Sequence, residues 1–219
     1  MKRKLVLYII MLLMVAGGGG IGYYYWYQGS HYVTTQDARV AGDIYRVMPR
    51  ISGKLTSLKV HEGDGVVADQ IVGQQDTTNL TTNLLENAVL RAPITGTVIK
   101  TLAKEGEVVS PGQAVAMVVD ENNLYISANV EETELGRLKL GQKVDITLDA
   151  YPGKQLTGHL SEIGQATNST FALLPSVNTS GNFTKVTQRI PIKVAIDNAA
   201  GIQLTPGLNA EIKVHVKGM

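Results

Sequence analysis

The chain has 219 residues, a net charge of +1, 18% charged and 5% aromatic residues, and no cysteine. The near-neutral balance gives no electrostatic case for nucleic acid, and the lack of cysteine removes disulfides, thiolate nucleophiles and Cys-ligated metals together. With so few aromatics, small β units built on Val, Ile and Leu are expected rather than one large aromatic-rich core.

Lys2, Arg3 and Lys4 precede an apolar run from Leu5 to Ala16, then four glycines, Ile21, Gly22 and the cluster Tyr23, Tyr24, Tyr25, Trp26, Tyr27. Two readings compete. A cleaved signal peptide has a basic start and a short apolar core. An uncleaved anchor is favoured here, because Leu5 to Tyr27 is 23 residues, enough for a helix to cross about 30 Å of hydrocarbon. Tyr and Trp suit the outer interface, and the basic triplet keeps the start cytoplasmic. Residues 1–27 are therefore expected to be a single-span anchor on membrane lipid, with everything after Tyr27 outside the cytoplasm.

Residues 28–43 are polar and lack helical period, which reads as a linker running into an entry strand. The next 78 residues contain a repeat. Val47 to Asp76 and Arg91 to Asp120 align without gaps over their centres: Gly53 on Gly96, Glu62 on Glu105, Gly63 on Gly106, Gln70 on Gln113, all at an offset of 43. Short Val-rich segments end at Gly, Pro and Asp turns. Eight or so such strands make a flattened β-sandwich over 44–121, with halves 44–76 and 90–121. The connector 77–89 carries Leu80, Leu84, Leu85 and Ala88, which fits either a short, weak helix or a polar loop with buried leucines.

From 122 to 219 longer segments alternate apolar and polar residues, at Leu124–Val130, Gln142–Asp149, Gln155–Ile163, Gln188–Ile196 and Asn209–Val216. Alternation of this kind marks half-buried strands. Glu131 to Leu138 reads as a short helix with acids in its first turn. The pattern predicts a small antiparallel β-barrel, six-stranded, with one short helix. The long polar loop 164–187 carries Phe171, Leu173, Leu174, Pro175 and Phe183. Loops of this length inside a small domain are usually functional or mobile. These five apolar residues either contact a transporter, a hydrophobic compound or a neighbouring protomer, or close one end of their own barrel.

Catalytic and cofactor chemistry finds no support. The four histidines, His31, His61, His159 and His215, are far apart and form no metal-ligand spacing. Ser52-Gly53 and Ser180-Gly181 lack the nucleophile-elbow frame. Gly17 to Gly20 is followed by no Lys-Ser/Thr, so it is no phosphate loop. Glu131, Glu132 and Glu134 read as a solvated helix start. No cofactor and no enzymatic activity is expected.

Taken in order, the repeated half-motif resembles the biotinyl/lipoyl-type fold. Anchor, half-motif, connector, half-motif and barrel resemble the HlyD-type membrane fusion (periplasmic adaptor) family, in its EmrA-like branch. The resemblance rests on Val33-Thr34-Thr35-Gln36-Asp37-Ala38 with Val40-Ala41-Gly42, on Leu90-Arg91-Ala92-Pro93-Ile94-Thr95-Gly96, and on Phe171 to Pro175 with Gly181 to Ile192. It implies a non-enzymatic efflux adaptor that forms homo-oligomers beside a proton-driven inner-membrane drug pump. Family members that meet an outer-membrane channel carry a long helical hairpin where this chain has only its connector, so channel docking is doubtful. True carriers of this fold present a lysine between their halves; none occurs between Lys59 and Lys100. An envelope structural module without a transport role, and an adaptor of an ATP-driven peptide or protein exporter, stay open as alternatives.

Overall fold

Strict alternation of buried and half-exposed residues decides much of this fold. The computed structural model describes residues 2–78, 81–167, 187–199 and 201–216, with side chains described from Met11 onward, those of Thr82 and Asn83 aside. Helix α1 (Lys2–His31) leads directly into β1 (Tyr32–Ala41). Then follow β2 (Ile44–Val47), β3 (Gly53–Leu58), β4 (Gly65–Val66) and β5 (Ile71–Gln75). After a 3-10 helix at Thr82–Ala88 come β6 (Val89–Arg91), β7 (Gly96–Thr101), β8 (Val108–Val109) and β9 (Ala116–Val119). The last five strands are β10 (Tyr125–Glu131), β11 (Lys143–Leu148), β12 (Gln155–Ile163), β13 (Arg189–Asn198) and β14 (Asn209–His215). Two compact units result, one of them holding the barrel and α1 and the other residues 40–125.

In the first unit six strands close a barrel in the order β1-β10-β13-β12-β11-β14. Every second residue points inward: Ile126, Ala128 and Val130 on β10, Val144, Ile146 and Leu148 on β11, Ile212 and Val214 on β14, each at most 2% exposed. Full burial of a side chain of Val, Leu or Ile size stabilises by about 1.5–3 kcal/mol. Closure removes the free edges a sheet of this size would otherwise carry. The expected six-stranded barrel is therefore present. Its sixth strand, β1, comes from the segment read as a linker running into an entry strand, and it takes up most of that segment. Residues 28–31 continue the helix, and β1 pairs with β14 from Tyr32↔His215 to Arg39↔Asn209. A bulge lies between Thr35 and Ala38. Thr35 holds it: its hydroxyl donates to Asn129 O at 2.8 Å and accepts from the Asp37 amide at 3.1 Å.

The second unit is two four-stranded sheets, β2-β9-β7-β4 and β6-β5-β3-β8. Each sheet takes two strands from each copy of the repeat, so the copies interleave rather than stack half on half. Their bonds are exchanged about a pseudo-twofold axis. The Gly63 amide donates to Val98 O at 2.8 Å and the Gly106 amide to Leu55 O at 2.7 Å. Glu105 accepts from the Leu58 amide, and Glu62 from the Thr101 amide. Gly63 and Gly106 have φ of +94° and +91°, a region that disfavours residues with a Cβ. The core between the sheets includes Leu55, Val72, Leu90, Val98, Val109 and Val118. The twofold match breaks at Gln75, which stands at the position of Val118 and is 1% exposed. Its amide nitrogen donates to Ile51 O and Gly53 O, at 3.0 and 3.3 Å, while its Oε1 has no partner.

Within the connector, Ala88 is buried but Leu84 and Leu85 are 39% and 40% exposed. In its described part, Thr82–Ala88 forms a short 3-10 helix; Leu80 lies outside the described residues. The short helix predicted after Glu131 is the 3-10 helix Glu132–Arg137. Among the described residues no helix is long and apolar enough to cross a membrane.

Candidate functional site

The residues singled out by sequence divide into two groups. Phe171, Leu173, Leu174, Pro175 and Phe183 lie outside the described residues. Tyr23, Tyr24, Tyr25, Trp26 and Tyr27 lie in the last third of α1, and the first four are 58–71% exposed. Tyr23 leans on Trp26 at 6.0 Å and on Tyr27 at 6.3 Å between ring centroids. The preceding Met11, Leu12, Leu13, Met14 and Val15 are 60–75% exposed. A helix turn-for-turn apolar on its outside is a surface that water disfavours.

Where α1 ends, the barrel grips it. Arg137, from the 3-10 helix, sends one guanidinium nitrogen to the carbonyls of Gly29 and Ser30 at 2.6 and 3.0 Å. Its other terminal nitrogen bonds Glu134 at 2.5 Å. The last carbonyls of a helix have no partner within it and carry partial negative charge, so a fixed cation there both satisfies and neutralises them. His31 stacks on Tyr27 at 4.1 Å. One residue further, the Tyr32 ring receives the Lys213 ammonium at 3.9 Å and meets His215 edge-on at 5.0 Å.

Beside this grip lies a cleft of about 610 Å³. His31, Tyr32, Arg137, Lys139, Leu140, Lys143 and His215 line it. His215 Nε2 is 2.6 Å from Asp145, and Lys143 shares the same carboxylate at 3.5 Å. Burial, the largest single influence, raises the Asp145 carboxyl; the hydrogen bonds and charges of His215 and Lys143 together outweigh it, and the net shift is downward. His159 pairs likewise with Asp197 at 2.7 Å. Both His–Asp pairs sit diagonally across neighbouring antiparallel strands, a stabilising placement on a sheet. Among the described residues no cluster of His, Asp or Glu is arranged to hold a metal.

Sequence reasoning treated the four histidines as isolated and did not single out Arg137, Lys139 or Lys143. His215 and Asp145 are 70 positions apart in sequence and meet only through the β11–β14 register, so no local pattern could have paired them. The site thus offers capping, ion pairing and packing around the end of a helix: the features of a scaffold that holds other components.

The comparisons with known proteins agree with that class. The RND membrane fusion protein barrel-sandwich hybrid domain matches residues 43–121, and the AAEA-like beta-barrel domain matches residues 123–215. YhbJ of Bacillus subtilis (strain 168), named as a candidate component of an efflux system, is 37% identical over 85% of this chain and 81% of its own length. The colistin resistance protein EmrA of Acinetobacter baumannii is 37% identical over 61% of this chain, but only 38% of that protein is covered. Among solved structures, the periplasmic adaptor protein EmrA has a TM-score of 0.58 at 16% identity, over 85% of this chain and 99% of that one. The membrane fusion protein Spr0693 of Streptococcus pneumoniae R6 has 0.61, also at 16% and over the same shares. These two show the fold alone. The chain belongs to the membrane fusion (periplasmic adaptor) protein family, in its EmrA-like branch.

Proposed function

We infer that this chain works as the non-enzymatic adaptor subunit of an efflux system, anchored by α1 beside an inner-membrane transporter of the proton-driven drug-pump type. The observation that carries the reading is the relative in Bacillus subtilis, matched over most of both chains and named for an efflux system. The names of relatives matched over a shorter span, among them the multidrug export proteins EmrA of Escherichia coli and Haemophilus influenzae, supply the substrate class. The chain spans only 29% and 35% of those two proteins, so substrate and partner remain part of the proposal.

The anchor is supported by the length of α1. Thirty residues at 1.5 Å each span about 45 Å, enough for hydrocarbon and one interface. Exposed Tyr23 to Trp26 then sit where aromatic residues favour the bilayer boundary. In this arrangement the basic start is cytoplasmic and both β units are outside. Several copies would stand side by side around the transporter, with Phe171, Leu173, Leu174, Pro175 and Phe183 as contacts to a partner or substrate. The connector 77–89 is only 13 residues long, which argues against docking on an outer-membrane channel through a helical hairpin.

The test is genetic and physical. Deleting the gene should abolish the drug resistance given by its cognate transporter, and mild crosslinking should capture a many-span membrane protein. Unchanged export in the deletion strain would refute the reading.

A further inference from the structure

The cleft at the end of α1 has a composition that packing alone does not explain. Lys139 and Leu140 form an outward turn, closed by Gly141 at φ +82°. Leu140 is 65% exposed, the most exposed large apolar side chain described on the barrel. Lys143 stands beside it, 62% exposed. Lys139 is exposed and has no ion-pair partner among the described residues. The carboxylates facing this cluster are already engaged, Glu134 by Arg137 and Asp145 by His215 and Lys143. An exposed apolar tip between two lysines suits a surface that is apolar below and anionic above.

Distance along the helix says which surface that is. Tyr27 closes the aromatic cluster, and His31, four residues later, lines the cleft. Four residues of helix rise about 6 Å. The headgroup layer on one side of a bilayer is about 5–7 Å deep, from the difference between total and hydrocarbon thickness. With the aromatic cluster at the hydrocarbon boundary, the cleft opens at the level of the lipid phosphates.

We propose that the cleft bounded by His31, Tyr32, Lys139, Leu140 and Lys143 binds the headgroup of an anionic phospholipid in the outer face of the membrane. In this arrangement Leu140 rests among the headgroups, and Lys139 and Lys143 face the phosphate. The proposal rests on the reading of α1 as a membrane anchor. Its role would be orientation: a lipid held here fixes the barrel's rotation about α1, and therefore which face it turns to its neighbours.

Trp26 is the single tryptophan of the chain and lies five residues, about 7.5 Å of helix, before His31 at the cleft, so it reports on adjacent lipid. The full chain is reconstituted in mixed bilayers of phosphatidylglycerol and phosphatidylcholine, with either lipid carrying brominated acyl chains, and Trp26 quenching is measured. The expected result is stronger quenching by brominated phosphatidylglycerol at equal mole fraction, corresponding to about fivefold preferential association per lysine. That preference should fall towards one in a Lys139→Gln/Lys143→Gln variant and in 1 M salt, where charges are screened beyond about 3 Å. It should persist in Lys54→Gln, which changes an exposed lysine of the other unit. Equal quenching by both lipids would overturn the headgroup site while leaving the anchor standing. A preference retained in the double variant would also overturn it. Quenching by neither lipid would refute the anchor itself.

Discussion

The repeat offers a paired experiment, because two aligned glycines have unequal surroundings. A Cβ built on Gly96 would lie 2.1 Å from the backbone oxygen of Val119 and 2.9 Å from its carbonyl carbon. A close carbon–oxygen contact needs about 3.3 Å, so β7 and β9 would have to part by about 1.2 Å. They are hydrogen-bonded neighbours through Thr97↔Val119 and Val98↔Val118, and Val118 and Val119 are fully buried. Small-to-large changes in packed cores cost about 1–3 kcal/mol; an obstacle made of backbone puts Gly96→Ala at the upper end. At Gly53 the three nearest atoms to the same Cβ all belong to the Gln75 side chain, at 3.3–3.6 Å. That neighbour is a side chain and can give by a few tenths of an ångström, so Gly53→Ala should cost under about 1 kcal/mol. In a domain of this size 1 kcal/mol moves Tm by about 4–8 °C. Gly96→Ala should therefore lower the melting temperature by about 12–24 °C, several times the shift from Gly53→Ala, in thermal circular dichroism of the detergent-solubilised chain. Equal shifts from the two substitutions would refute the reasoning from contact distance.

Gln75→Glu should destabilise by about 3 kcal/mol in urea unfolding, because it sets a buried carboxylate against the carbonyls of Ile51 and Gly53; Gln75→Met, which removes the orphaned oxygen, should cost less than half as much. Arg137→Ala should free the end of α1: loss of charged hydrogen bonds to the Gly29 and Ser30 carbonyls costs about 1.5–3 kcal/mol, seen as faster proteolysis at residues 28–33 with barrel melting little changed. Asp145 has a lowered carboxyl pKa, so its contribution is full above the unfolded value of about 3.9 and is lost as pH falls through the lower folded value. In His215→Gln, burial is opposed by Lys143 alone, so this loss should begin at higher pH; Tm measured from pH 6 to pH 3 checks it, and superimposable profiles would refute it.

Much of this protein could be read along the chain. Alternation with a period of two marked the barrel strands, because each inward residue, such as Ile126, Ile146 or Ile212, must be buried for the strand to be stable. The offset of 43 between copies marked the sandwich, since each copy repeats the same turns at Gly63 and Gly106. Motifs spread over both β units carried the family resemblance. The aromatic cluster from Tyr23 to Tyr27, expected as the outer belt of an anchor, stands out in the sequence as a block. Arg137, Lys139, Lys143 and His215 do not, since each is an ordinary surface residue in its own segment.

Sequence by itself thus determined which segments are strands, where they turn, and which side of each is apolar, because those depend on residues a few positions apart. Tertiary structure alone decided how the copies interleave, that the segment after the helix closes the barrel, and that Arg137 holds the end of α1. Thr35 meets Asn129, 94 positions away, and Arg137 meets Gly29, 108 away. Such contacts depend on strand register and barrel closure, which are set by the packing of all six strands at once.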